Sequence, residues 1–326
     1  MLARRHFVPR LPCAGSRLRL EGPADAARRD SLGSNVVSNL ANALDGDRFV
    51  VTSELTPPKG TSLDSLLERA RMLSRHVDAF NLTDSHAARM AMAPMAAAHL
   101  LLDHGMEPIM QITSRDRNRI AIQADLLGAW MLGVRNIAFM GGDPPRNGDH
   151  PDAKGVFDVV SADIIGAAAG MSGGTDMAGN ALDGSPEFCI GAVVNPGAKD
   201  LDKEIERMVE KRDAGATFFQ TQAVYDPGAF ERFANRVDSL GVRLLAGIIP
   251  VKSPKMAAYM NEHVPGIEVP EALIAKLAES SDRAVTSSEM AAAVIAEVRP
   301  MCRGVHVMAI GWEDKVPGIL EAAGVR

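Results

Sequence analysis

The sequence predicts a (β/α)8 TIM barrel, an α/β fold of eight parallel strands alternating with helices. Three observations point there. Eight short apolar runs are spaced along the chain, over residues 49–54, 79–83, 108–113, 135–140, 188–194, 216–222, 243–249 and 304–310. Segments with helical periodicity separate them, as parallel βαβ units require. Polar residues stand at or just past the ends of most runs: Glu54, Thr83, Gln111, Asp143, Asn195 and Gln222. In barrels of this class the C-terminal strand ends carry the chemistry. The structural rival is a doubly wound open sheet, which normally carries a Gly-rich dinucleotide turn after an early strand. Here the first run is followed by Leu55-Thr56-Pro57-Pro58-Lys59-Gly60, which has no such signature.

Each unit can be justified in turn. The stiff Pro57-Pro58-Lys59-Gly60 loop leads to Thr61 or Ser62, either of which can cap a helix carrying Leu63, Leu66, Leu67 and Ala70 at helical spacing. After the second run an Ala/Met-rich helix is expected over 85–104, ended by Gly105. After the third, 115–132 reads as a helix closed by Gly133. A long polar loop over 141–155 precedes a helix over 157–169, and the Gly/Ser/Asp-rich stretch 170–186 reads as a surface insertion. Further helices are expected over 199–214, 227–240, 254–262, 270–280, 287–298 and 315–323.

Composition narrows the class. The chain has 326 residues, 46% hydrophobic but only 4% aromatic, so its core is aliphatic and rich in the 17 methionines. Net charge is −6, and the first thirty residues contribute +4, which leaves a body of −10 and argues against nucleic-acid binding. The Arg-rich start, 1–31, lacks a continuous apolar core and is expected to be a disordered extension preceding a single catalytic barrel over 32–326. No run of about 18 apolar residues exists, so neither a membrane span nor a membrane partner is expected; a cytoplasmic protein follows. Cys13, Cys189 and Cys302 lack paired spacing, which speaks against a disulfide framework or a metal site. Cys189, inside an apolar run, reads as a small buried hydrophobe.

Several residues at the strand ends could carry chemistry. Glu54, walled by prolines and aliphatics at a barrel mouth, would have its charged form disfavoured by desolvation and could act as a general acid; the plainer reading is a surface or Arg-paired glutamate. Gly141-Gly142-Asp143-Pro144-Pro145 allows close approach of backbone to a flat ligand and holds Asp143 at the mouth, though an Asp making an ordinary turn is equally consistent. Alternation puts Gln220 and Gln222 on one face, where carboxamides suit the amide-like edge of a pterin or flavin; the alternative is a buried glutamine satisfied by backbone. Arg115-Asp116-Arg117-Asn118-Arg119 reads as a solvated charged turn rather than a phosphate site, and His86 is the only histidine well placed for a site.

These stretches together resemble the methylenetetrahydrofolate reductase family. The resemblance rests on Ser53-Glu54-Leu55-Thr56-Pro57-Pro58, Gly142-Asp143-Pro144-Pro145, Arg212-Asp213-Ala214-Gly215-Ala216, Thr221-Gln222 and Pro250 after Gly247-Ile248-Ile249, and runs from about Arg48 to Glu313. It implies a (β/α)8 barrel holding FAD at the C-terminal strand ends and a flavin-dependent oxidoreductase of one-carbon metabolism and methionine biosynthesis. That enzyme interconverts 5,10-methylenetetrahydrofolate and 5-methyltetrahydrofolate. By resemblance Glu54 is the general acid, Asp143 lies between flavin and pterin, and Gln222, with Gln220 nearby, binds the pterin. Thr83, Gln111, Gly142, Asp143, Asn195, Glu204 and Lys211 match positions at FAD. This chain departs from the family at four of its positions: Gln111 and Asn195 replace histidines, Gly141 replaces an arginine, and Pro254 replaces an aromatic ring. NADH, NADPH or an electron-donating partner protein could supply electrons, and a homo-oligomer is expected. The competing functions are a folate-binding methyltransferase barrel without flavin and a non-catalytic folate- or flavin-binding subunit.

Overall fold

The structure is a computed structural model that describes residues 38–326; the extension expected over 1–31 lies outside the described residues. Eight strands close a barrel in chain order: β1 (Val50–Leu55), β2 (Ala79–Leu82), β3 (Pro108–Thr113), β4 (Asn136–Met140), β5 (Cys189–Val194), β6 (Phe218–Ala223), β7 (Arg243–Ile248) and β8 (Gly304–Val307). Every neighbouring pair is parallel, and β1 closes on β8 with Thr52 opposite His306. Each of the eight apolar runs becomes one strand. The TIM-barrel expectation holds, and no helix among the described residues is long and apolar enough to cross a membrane.

Period-two alternation divides each strand between two surroundings. Val51, Leu55, Phe80, Leu82, Met110, Ile112, Ile137, Phe139, Ala192, Phe219, Ala246 and Val305 face outward into one large cluster shared with the helices. The first inward residues, Val50, Ala79, Ile109, Ala138, Phe218 and Leu245, form a separate apolar floor. Gly191 is needed there, because a Cβ would lie 2.3 Å from the Phe218 ring. Cys189 packs against this floor, and burial pushes its thiol up to about 12, which leaves it an inert small hydrophobe.

The sequence reading did not anticipate the helix that closes this floor. α1 (Asn39–Asp45) lies under the barrel with Leu40 and Leu44 in the floor cluster. Ser38 caps it by accepting from Ala41 N, and Arg303 donates to the carbonyls of Ala43, Leu44 and Gly46 at its other end. Seven residues show too little periodicity to stand out, and such a helix is stable only through what it packs on.

The outer helices are α2 (Asp64–Leu73), α3 (Pro94–Asp103), α4 (Arg119–Met131), α5 (Ser161–Ser172), α6 (Leu201–Asp213), α7 (Pro227–Val237), α8 (Pro254–His263), α9 (Glu271–Glu279), α10 (Arg283–Val298) and α11 (Val316–Ala322). Three begin well after the position the sequence suggests, each at the mouth. The helix expected from 85 starts at Pro94, since Ser85, Ala87 and Ala88 are left-handed at φ 50°, 52° and 56°. The helix expected from 115 starts at Arg119, where the Asn118 side chain accepts from Ile120 N and Ala121 N. The helix expected from 157 starts at Ser161, because Phe157 is left-handed and its N–H donates to Ser114 O at the end of β3. α10 starts earlier than expected because Asp282 caps Ala284 N and Val285 N. The stretch 170–186 holds the last turn of α5 and a turn region with a single antiparallel bridge, Thr175 to Ala181.

Candidate active site

Above the apolar floor the barrel turns polar. The second inward position is Thr52 on β1, Asn81 on β2, Gln220 on β6 and His306 on β8, all at most 3% exposed. Barrel interiors of this class are usually filled by branched apolar residues, so a buried polar layer must satisfy itself or lose stability. It does so. Asn81 Nδ2 donates to Gln220 Oε1 at 2.7 Å, and Gln220 Nε2 donates back to Asn81 Oδ1 at 2.9 Å. Gln220 Nε2 also reaches Thr52 Oγ1 at 3.4 Å, and Thr52 Oγ1 stands 2.9 Å from His306 Nδ1. Gln220 was expected to bind substrate beside Gln222. Its carboxamide is instead engaged by the protein on both sides, a layer below the mouth.

Glu54 is the next inward residue of β1. Its side chain is 17% exposed, and Oε2 lies 4.0 Å from His306 Nε2. Burial raises the Glu54 pKa above the ordinary carboxylate value, and the nearby His86 and a hydrogen bond with Gln111 oppose that only in part. This is the desolvated carboxyl that the proline-walled motif suggested. Gln111 on β3 is 5% exposed and faces it. His306 is buried, and burial lowers its pKa to about 3, so it is neutral at physiological pH. Sequence reading missed His306, Thr52 and Asn81. The signal was present: Asn81 and His306 are single polar residues in otherwise apolar strands, and Thr52 shares the inward face of β1 with Glu54.

The remaining candidates divide into groups. Gly142 is left-handed at φ 86°, and a Cβ there would meet Thr113 and Arg115 at 3.0–3.1 Å, so the Gly-Asp loop lies tight on the end of β3. Asp143 next to it is exposed at the mouth. Thr83 ends β2 with its hydroxyl buried and unpartnered. Gln222 is half-buried within the register shift between Gln220 and Ala223, and its Oε1 accepts from Ala223 N at 3.0 Å. Asn195, Glu204 and Lys211 gather at the end of β5, away from the Glu54 group. Glu204 Oε1 accepts from Asn195 N at 3.0 Å, and Lys211 Nζ donates to Val193 O at 2.7 Å, with burial lowering the lysine pKa. The Asn195 carboxamide donates to Pro265 O and accepts from Gly197 N.

The charged turn after β3 makes ion pairs, and it is less solvated than expected at Arg115. Arg115 is 3% exposed and donates to Asp116, Ser85 O and Asp84 O. Arg117 binds both Asp84 oxygens and Asp125, and Asp84 also accepts from Thr113 N and Oγ1. The turn is an ion-pair lattice that ties β2 to β3, buried at Arg115 and Asp84 and open to solvent at Asp116 and Arg119. Among the described residues no group of three or more His, Cys, Asp or Glu side chains is placed to hold a metal ion.

Comparison with known proteins agrees with this geometry. The family model for methylenetetrahydrofolate reductase matches residues 39–324. Methylenetetrahydrofolate reductase 2 of Schizosaccharomyces pombe is 27% identical over 307 residues, which cover 89% of this chain and 47% of that protein. The 5,10-methylenetetrahydrofolate reductase of Pectobacterium carotovorum is 29% identical over 167 residues, 49% of this chain and 51% of that one. The chain thus spans about half the length of the curated relatives it matches. A solved structure from Clostridium thermocellum, described as binding two copies of 5-methyl-5,6,7,8-tetrahydrofolic acid, shares the fold with a TM-score of 0.59 at 14% identity, covering 87% of this chain and 97% of that one. With the family model spanning nearly every described residue, from α1 through β8, this chain belongs to the methylenetetrahydrofolate reductase family.

Proposed function

We propose that this chain interconverts 5,10-methylenetetrahydrofolate and 5-methyltetrahydrofolate, with Glu54 as the general acid. The observation that carries the reading is the setting of Glu54, a carboxyl at the barrel mouth whose pKa burial raises and which faces His86, Gln111 and His306. A carboxyl with a raised pKa is the group that can protonate a weakly basic nitrogen near neutral pH. Glu54 gives its proton to the bridging nitrogen of the folate, the C–N bond of the five-membered ring opens, and the one-carbon unit becomes an iminium ion that accepts hydride. Gln222 on β6, with its Nε2 unpartnered among the described residues, and Asp143 after β4 offer the donor and acceptor that a pterin edge needs.

The residues present fit a flavin along the β2–β4 rim. Thr83 keeps a buried hydroxyl with no protein partner, which a ligand atom would satisfy, and Gly142 brings backbone close without a side chain in the way. Thr83, Gln111, Gly142 and Asp143 would hold its ring system, and Glu204 and Lys211 the more distant part. The Asn195 side chain is already bonded to Pro265 O and Gly197 N, and its backbone N–H to Glu204, so it would line the site without donating to the group. Bound FAD would supply the hydride. NADH, NADPH or a partner protein would replenish it.

Anaerobic stopped-flow tests the reading. The purified protein should carry flavin absorbance, and methylenetetrahydrofolate should reoxidise the reduced protein. Glu54→Gln should lose that reoxidation by a factor on the order of 10² to 10⁴. Unchanged folate turnover in Glu54→Gln would overturn the assignment. A colourless protein that nevertheless binds folate would favour a flavin-free methyltransferase barrel.

A further inference from the structure

Glu54 does not stand alone. The groups facing it come from three elements: His86 from the segment after β2, Gln111 from β3 and His306 from β8. His306 is the one that the barrel interior itself orients. Gln220 Nε2 donates to Thr52 Oγ1, so the threonine oxygen is accepting on that side. Its own proton has two acceptors in reach, His306 Nδ1 at 2.9 Å and Val305 O at 3.5 Å, and the shorter contact favours Nδ1. An imidazole that accepts at Nδ1 carries its proton on Nε2. Nε2 is the atom that faces Glu54, at 4.0 Å from Oε2. The Asn81–Gln220 amide pair fixes the carboxamide that starts this chain of bonds.

We propose that His306 is a positioning residue for Glu54: a neutral imidazole, its tautomer set by Thr52 and Gln220, that presents an N–H to the carboxylate left when Glu54 gives up its proton. The inference rests on the reading of Glu54 as the acid. The proton goes from Glu54 to the substrate nitrogen, and no proton leaves His306. The imidazole only donates a hydrogen bond, which a small rotation of the glutamate side chain shortens from 4.0 Å. Hydrogen bonds of this kind are often long before substrate is bound. A neutral donor suits the task better than a cation. A charged histidine would hold Glu54 ionised and cost it the proton it must deliver, whereas a neutral N–H helps mainly once the charge has formed. This gives a reason for a polar layer where such barrels usually place branched apolar side chains.

The test compares the pH dependence of folate turnover in the full-length protein carrying His306→Leu, His306→Gln or Thr52→Val with that of wild type. Glu54→Gln is the control. His306→Leu should lower kcat on the order of tenfold, with KM for folate little changed, because a hydrogen bond to a charged group is lost. Its alkaline limb should move to higher pH, since the ionised carboxylate has lost its donor. His306→Gln, which restores an N–H, should recover most of the rate. Thr52→Val keeps the shape but frees the imidazole to change tautomer, and should shift the limb in the same direction by a smaller amount. The infrared carboxylic C=O band that disappears in Glu54→Gln should titrate at higher pH in His306→Leu. If His306→Leu does not fold, Thr52→Val and the infrared titration carry the test. A limb and band that stay in place in His306→Leu and Thr52→Val, while Glu54→Gln is inactive, would overturn the role of His306 and leave Glu54 as the acid. Retained turnover in Glu54→Gln would overturn both readings.

Discussion

At the scale of single residues, Glu54 and His306 show how burial sets charge inside one barrel. The two shifts run in opposite directions on the pH scale, yet each favours the neutral form of its group. Folded Glu54 holds its proton more tightly than the unfolded chain does. Its contribution to stability is therefore present below the unfolded carboxylate pKa and is lost as pH rises through the raised value. Glu54→Gln should accordingly raise the melting temperature at pH 8 and change it little at pH 4, which calorimetry at the two values checks. His306 behaves inversely, because folding disfavours its charged form. Its cost appears as pH falls below the unfolded histidine value near 6.5 and grows towards about 3. His306→Gln should therefore flatten the loss of stability between about pH 6 and 4.

At the scale of elements, the mouth is shaped by loops that brace one another. Asp149 in the loop after β4 pairs with Lys59 from the loop after β1 and accepts from Met90 N in the loop after β2 at 3.0 Å. Met92 N donates to Pro58 O at 2.9 Å. The lysine and the backbone N–H hold the Asp149 carboxyl down at about 2, so the clip persists in mild acid and opens only as pH falls from the ordinary aspartate range towards that value. Gly148 presses on the same junction: a Cβ there would lie 1.8 Å from Ala88 O. Gly148→Ala should force the two loops apart, raise KM for folate and speed proteolysis within 85–93, as limited digestion would measure. Gly142→Ala faces both a left-handed backbone and contacts of 3.0–3.1 Å, and should cost roughly 1–3 kcal/mol in denaturant unfolding.

At the scale of the whole molecule, the barrel separates stability from chemistry along its axis. One end is the apolar floor closed by α1, and the other is the polar mouth. Leu40 is fully buried in that floor. Leu40→Ala should cost about 2–5 kcal/mol through the cavity it leaves. Because it lies at the opposite end from Glu54, kcat below the melting temperature should be unchanged, and chemical denaturation alongside turnover assays separates the two effects.

The sequence by itself determined the eight strands and their parallel order, and it pointed to Glu54. Strand identity is written in short local runs, and period-two alternation puts Glu54 at the inward-facing end of β1. Local pattern also placed Asp143 and Gln222 at strand ends. Only the tertiary structure decided what those groups meet. Thr52, Asn81, Gln220 and His306 are as much as 254 residues apart along the chain, and the closing of β8 on β1 makes them one hydrogen-bonded layer. Gln220, which alternation put beside Gln222, went to that layer because an inward residue one step below the mouth is enclosed by the opposite strands. The helix starts at the mouth and the short α1 were likewise decided by contacts distant in sequence, which outweigh local propensity wherever a segment must fit against several strand ends at once.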